Sequence, residues 1–118
     1  MATFSTHILN AVNGTHFSNI DVKLFKCIKT EKNELIFHEK TDIGGRLKVS
    51  FDLNSELVSD YEVQVFLPND FNNTTIETIK KNINISYFSM RVSFFEPDIT
   101  YHIPLIISPY GMSCWISR

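Results

Sequence analysis

Cysteine is scarce in this chain. Cys27 and Cys114 stand far apart, which argues against a disulfide framework and makes a reducing compartment the simpler expectation. Charge of one sign is not concentrated anywhere: the net charge is -2 and there is no basic block, so neither a nucleic-acid nor a membrane surface is expected. Apolar runs stay well short of a membrane span. The first residues, Met-Ala-Thr-Phe-Ser-Thr-His, lack both a charged region and an apolar core, so no signal peptide is expected. The Ile-Ser-Arg at the end is not the usual peroxisomal tripeptide. A cytoplasmic location is the expectation, with a peroxisomal one kept open. Sequons at Asn13, Asn72, Asn73 and Asn84 carry no weight without a secretory route. Histidines lack ligand spacing and no Gly-x-Ser-x-Gly elbow occurs, so local sequence supplies neither a metal motif nor a hydrolase serine.

What the chain does contain is alternation. With 118 residues, 43% hydrophobic and 20% charged, it reads as one globular domain spanning 1–118. The clearest stretch is Tyr101 to Gly111. Tyr101, Ile103, Leu105 and Ile107 share one strand face, and His102, Pro104 and Ile106 share the other. Pro104 offers no N–H, so its position should need no ladder bond. Ser108-Pro-Tyr-Gly111 reads as a turn, with Gly111 free to take a positive φ. Alternation also marks strands at 3–10, 20–28, 35–39, 46–51, 61–67 and 85–94, with Glu96-Pro97-Asp98 as a hairpin turn into the Tyr101 strand. Residues 72–81 are the only stretch that reads as a helix, capped by Asn73 or Thr74. The sum is an all-β, antiparallel β-sandwich of about eight strands with one short helix.

Three residues on outward faces stand out: His7, Arg46 and His102. The first and last strands of a sandwich often adjoin, which would bring the histidines together. Two histidines near neutrality can take and return a proton, and an arginine fork can stabilise negative charge on oxygen. An outward His or Arg is also commonly just a solvated side chain. His16 and His38, in turn and hairpin contexts, are read that way. Ser108 and Ser113 near His102 are weak nucleophile candidates. Trp115 would join the same mixed face, of a kind often closed by a second subunit.

Ordered motifs add a resemblance that runs almost end to end. Ser5-Thr-His-Ile-Leu-Asn10, Thr41-Asp-Ile-Gly-Gly-Arg46 and Tyr101 to Gly111 resemble, in order and at compatible spacing, the signature segments of the transthyretin and 5-hydroxyisourate hydrolase family. The enzyme branch keeps His, Arg and His at the places of His7, Arg46 and His102, and the hormone carriers do not. The resemblance therefore implies hydrolysis of 5-hydroxyisourate to 2-oxo-4-hydroxy-4-carboxy-5-ureidoimidazoline in urate degradation. It implies catalytic roles for those three residues, no cofactor and no metal. It also implies a homotetramer, a dimer of dimers, with sites in the channel between dimers. The chain departs from the pattern where Trp115-Ile-Ser-Arg118 replaces Tyr-Arg-Gly-Ser and where Gly44 replaces an acid. Trp115 then counts as a substrate-pocket wall only. The alternative is a non-catalytic, transthyretin-like small-molecule-binding protein.

Overall fold

The fold is built on its first strand, β1 (Ala2–Asn10). Its even residues are buried and its odd residues half-buried, the signature of a strand with one face on the core. On one side β1 pairs antiparallel with β4 (Arg46–Phe51), and on the other it pairs parallel with β7 (Thr100–His102) and then β8 (Leu105–Ser108). β9 (Gly111–Cys114) closes this sheet beside β8. The second sheet has the order β3 (Glu34–Lys40), β2 (Asp21–Lys26), β5 (Ser59–Phe66) and β6 (Tyr87–Phe94), all antiparallel. The computed structural model describes residues 1–53, 59–68, 71 and 85–117.

The two sheets enclose one apolar layer. Phe4 and Ile8 of β1, Val22 and Leu24 of β2, Val63 and Val65 of β5, and Leu105 and Ile107 of β8 are fully buried. An aromatic group of Phe51, Tyr61, Phe94 and Tyr101 fills one end, with centroids 4.5 to 5.7 Å apart. Burial of this kind, at about 25 cal/mol per Å² of apolar surface, is the main force holding the sheets together. A β-sandwich is thus what the alternation predicts, and a sandwich is what forms.

Several details differ from the sequence reading, each for a physical reason. The expected strand over 101–107 is interrupted at Ile103 and Pro104, since proline has no N–H to give the ladder. Nine strands result among the described residues. The turn at 96–98 does not close a hairpin: β6 lies in one sheet and β7 in the other, so the segment crosses between layers. The Tyr101 hydroxyl holds that crossover, accepting from the Glu96 N–H at 2.8 Å and donating to its carbonyl at 3.1 Å. The first sheet is mixed, because the crossover returns the chain parallel to β1. Gly111 does not use a positive φ, which only Gly14 and Gly45 adopt among the glycines. The expected helix over 72–81 lies outside the described residues.

Gly45 is the glycine the fold requires. It has a φ of 73°, and a Cβ there would come within 2.6 Å of the Ile8 carbonyl oxygen and 3.0 Å of the Phe17 amide nitrogen. Gly44 next to it has no such constraint; a Cβ would meet only the Asp42 carboxylate at 3.4 Å. Gly45→Ala is therefore expected to lose at least about 2 kcal/mol of stability from strain and clash, against under about 1 kcal/mol for Gly44→Ala. Urea denaturation midpoints of the two variants check this.

Candidate functional site on the outer face of the first sheet

The odd residues of β1 point away from the core, so Ser5, His7 and Leu9 form a line down the outer face. His7 lies directly opposite Arg46 in the β1–β4 ladder. His102 lies opposite Ser5 across the parallel β1–β7 pair. The three residues expected to converge therefore do share one face, on three adjacent strands. The β3–β4 turn sets the start of β4. Asp42 accepts hydrogen bonds from the Gly44 and Arg46 amides, both at 2.9 Å, through one carboxylate oxygen. Thr41, buried, accepts from the Ile20 amide at 2.9 Å and donates to the Phe17 carbonyl at 2.8 Å, tying that turn to the segment before β2.

A fourth member was not expected. His16 Nδ1 lies 2.9 Å from His7 Nε2, with ring centroids 5.1 Å apart and planes 33° apart. The reading of His16 as a bystander is thus corrected. Beyond His7, β4 has ended, and residues 15–17 take its place beside β1. Asn10 donates its amide to the Thr15 carbonyl at 2.8 Å, Phe17 donates to the Ile8 carbonyl at 2.9 Å, and His16 bridges Leu9. A side chain opposite Leu9 is a diagonal neighbour of His7. The signal that could have found it was the Asn13-Gly14 turn directly after β1: a tight reversal there returns residue 16 to the strand it left. His38, by contrast, pairs with Asp21 on the other sheet, 2.9 Å away, and stays outside the site.

The two site histidines differ in what their nitrogens do. His102 Nδ1 contacts the Ser5 hydroxyl at 3.0 Å, and its Nε2 has no partner among the described residues. His7 has its Nε2 engaged by His16. Partial burial pushes the His7 imidazole below the usual histidine range, and the charges of Arg46 and His16 push it further the same way. The Gly44 carbonyl opposes this, and His102 adds a last small push downward. Among the described residues no carboxylate acts on the ring, and the downward direction favours its neutral form.

Around these residues the face is mixed. His102 pairs its backbone with Ser117, donating to its carbonyl at 3.2 Å and accepting from its amide at 2.8 Å. Since Ser113 pairs with Ile106 and Ser117 with His102, alternation puts Trp115 on the same face; it is 50% exposed. Ser108 is occupied, donating to the Gly111 carbonyl at 3.1 Å. Cys27 and Cys114 are both free, and burial raises both thiols above their ordinary range, so neither is a ready nucleophile. Among the described residues, no three His, Cys, Asp or Glu side chains converge as metal ligands. No described helix is long and apolar enough to cross a membrane.

Comparison with known proteins now decides the family. The model of the HIUase/transthyretin family matches residues 4–116. The chain belongs to that family. It is 24% identical over 115 residues to a 5-hydroxyisourate hydrolase of Pseudomonas aeruginosa, covering 98% of this chain and 90% of that one. Its fold is similar to that of 5-hydroxyisourate hydrolase from Klebsiella pneumoniae, with a TM-score of 0.68 at 19% identity, over 98% of this chain and 99% of that one. Sea bream transthyretin, solved in complex with thyroxine, superposes with a TM-score of 0.72 at 16% identity, over 97% and 93% of the two chains. An (S)-allantoin synthase superposes with a TM-score of 0.76 at 24% identity; it covers 99% of this chain, which spans only 44% of that protein. A 5-hydroxyisourate hydrolase and a thyroxine-bound transthyretin thus share this fold.

Removing the Arg46 charge by Arg46→Gln is expected to raise the His7 titration midpoint towards 6.5, the ordinary histidine value. The linkage has a definite sign. The unfolded chain holds the His7 proton more tightly, so the stability tied to this group is present above the unfolded-state value and lost as pH falls through the lower folded-state value. NMR titration of the imidazole resonances in the two proteins measures the shift.

Proposed function

We propose that the chain is a hydrolase of 5-hydroxyisourate, with His7, Arg46 and His102 as its catalytic residues. The observation that carries this reading is that the three side chains occupy one sheet face of an HIUase/transthyretin fold, with His102 open at Nε2 among the described residues. The Pseudomonas relative, a 5-hydroxyisourate hydrolase, supports the choice of substrate.

In this mechanism His102 takes a proton from water through its open nitrogen, oriented by the Ser5 hydroxyl. The His16 contact occupies His7 Nε2, which leaves His102 as the base. The water oxygen bonds to a ring carbonyl carbon, and the Arg46 guanidinium stabilises the negative charge that develops on the carbonyl oxygen. The carbon–nitrogen bond then breaks, and the proton held by His102 passes to the leaving nitrogen. The ring opens to a carboxylic acid, which ionises in water. His7, as a neutral imidazole, orients water and substrate.

The face is open in a single chain, with Trp115 half exposed beside it. We propose that a second subunit closes it in a homotetramer, a dimer of dimers, and that Trp115 forms a wall of the enclosed pocket. No cofactor enters the mechanism. The second reading is a transthyretin-like protein that binds a small molecule without turning it over. It is favoured by the tail, where Trp115 and Ile116 supply apolar surface and no hydroxyl.

The test is the ultraviolet decay of 5-hydroxyisourate generated freshly from urate. The wild-type chain should accelerate it, His102→Ala should lose about 10²- to 10⁴-fold in rate, and Arg46→Ala about 10²- to 10³-fold. Decay no faster than in buffer from folded wild-type protein would rule out the hydrolase and leave the binding protein.

A further inference from the structure

We propose that His16 is a positioning residue of this site, holding the His7 ring by a direct imidazole–imidazole hydrogen bond in the role more often given to a carboxylate. The inference rests on the hydrolase reading above and adds a residue to it.

Geometry carries it. At 2.9 Å the facing nitrogens, His7 Nε2 and His16 Nδ1, are in hydrogen-bond contact, and such a contact needs one proton and one lone pair between them. Two protonated nitrogens would repel, and two lone pairs would make no bond. His16 is also held independently of its ring. The Asn10–Thr15 and Ile8–Phe17 backbone bonds flank it, and Asn13 accepts from the Thr15 amide at 3.0 Å and hydroxyl at 2.7 Å, which fixes the turn before it. The ring is thus presented to His7 by a built segment.

Among the described residues, the groups that act on His7 come from three neighbouring segments and β7, and Lys48, opposite Ser5 on β4, shares the face. Arg46 comes from β4, His16 from the segment between β1 and β2, and His102 from β7; the Gly44 carbonyl comes from the β3–β4 turn. One oxygen of the Asp42 carboxylate accepts from the Gly44 and Arg46 amides. Among the described residues, no anion acts on the ring. A carboxylate orients a histidine but also raises its basicity. An imidazole N–H that donates to His7 Nε2 supplies the same orientation without that rise. Protonation of His7 at Nε2 removes the lone pair that this contact needs and frees the ring. The acid side of the activity is set by that event.

The experiment follows wild type, His16→Ala and His16→Asn by NMR titration of the His7 ring and, on the same samples, by 5-hydroxyisourate decay between about pH 5 and 8. His16→Ala should raise the His7 midpoint, move the acid limb of the rate profile up with it, and lower kcat about tenfold with little change in KM. His16→Asn, which keeps a side-chain N–H donor of similar reach, should retain most of the rate. A His7 titration and rate profile unchanged in His16→Ala would overturn the proposal, as would an Asn variant no better than Ala. The hydrolase reading fails separately. If wild type itself does not turn over substrate, that reading falls, and the His7 titration in His16→Ala still decides whether the pair holds as a unit.

Discussion

The close approach of three backbones at Ile8 is the constraint on which this structure depends. The Ile8 amide donates to the Gly45 carbonyl at 2.8 Å, and its carbonyl accepts from the Phe17 amide at 2.9 Å. Two segments far apart in sequence thus dock on one residue of β1, and only a residue without a Cβ fits at position 45. From that junction Arg46 is carried to a position opposite His7, and His16 to one opposite Leu9. The polar group of the outer face is a consequence of backbone packing on the inner one.

A second constraint works on the other side of β1. Pro104 breaks the ladder between β7 and β8, which leaves the Ile103 carbonyl in the core. Thr6, fully buried, donates to that carbonyl at 2.6 Å, and the Ile103 amide donates to the Ser5 carbonyl at 2.8 Å. An unpaired carbonyl there would cost about 1–3 kcal/mol. The same bonds fix the register that places His102 beside Ser5, so a device that repairs a proline break also orients a histidine.

Electrostatics on this face has one sign. Arg46 and three histidines meet, and among the described residues no carboxylate acts on His7, so the face favours a ligand that carries or develops negative charge on oxygen. Hydrolysis of a ring amide develops such charge at its transition state. Binding of an anionic small molecule would use the same field, which is why turnover itself must discriminate between the two readings. The tail presents Trp115 as a half-exposed aromatic surface with an indole N–H as its one donor.

Much of this was legible in the residues. Period-two alternation places Phe4 and Ile8 inside and His7 and Arg46 outside, because a strand side chain has only two directions to point. Ordered motifs supplied the family. Alternation is local, however, and carries no pairing. That His16 meets His7, that Glu96 to Asp98 crosses between sheets, and that β7 and β8 run parallel to β1 all depend on which strands adjoin. Those choices are made by long-range packing, which a one-dimensional pattern does not encode. The sequence by itself determined the sandwich, its inner and outer faces and the candidate residues. Only the tertiary structure decided which histidine nitrogen is open and which is taken, because a hydrogen bond depends on distance in space.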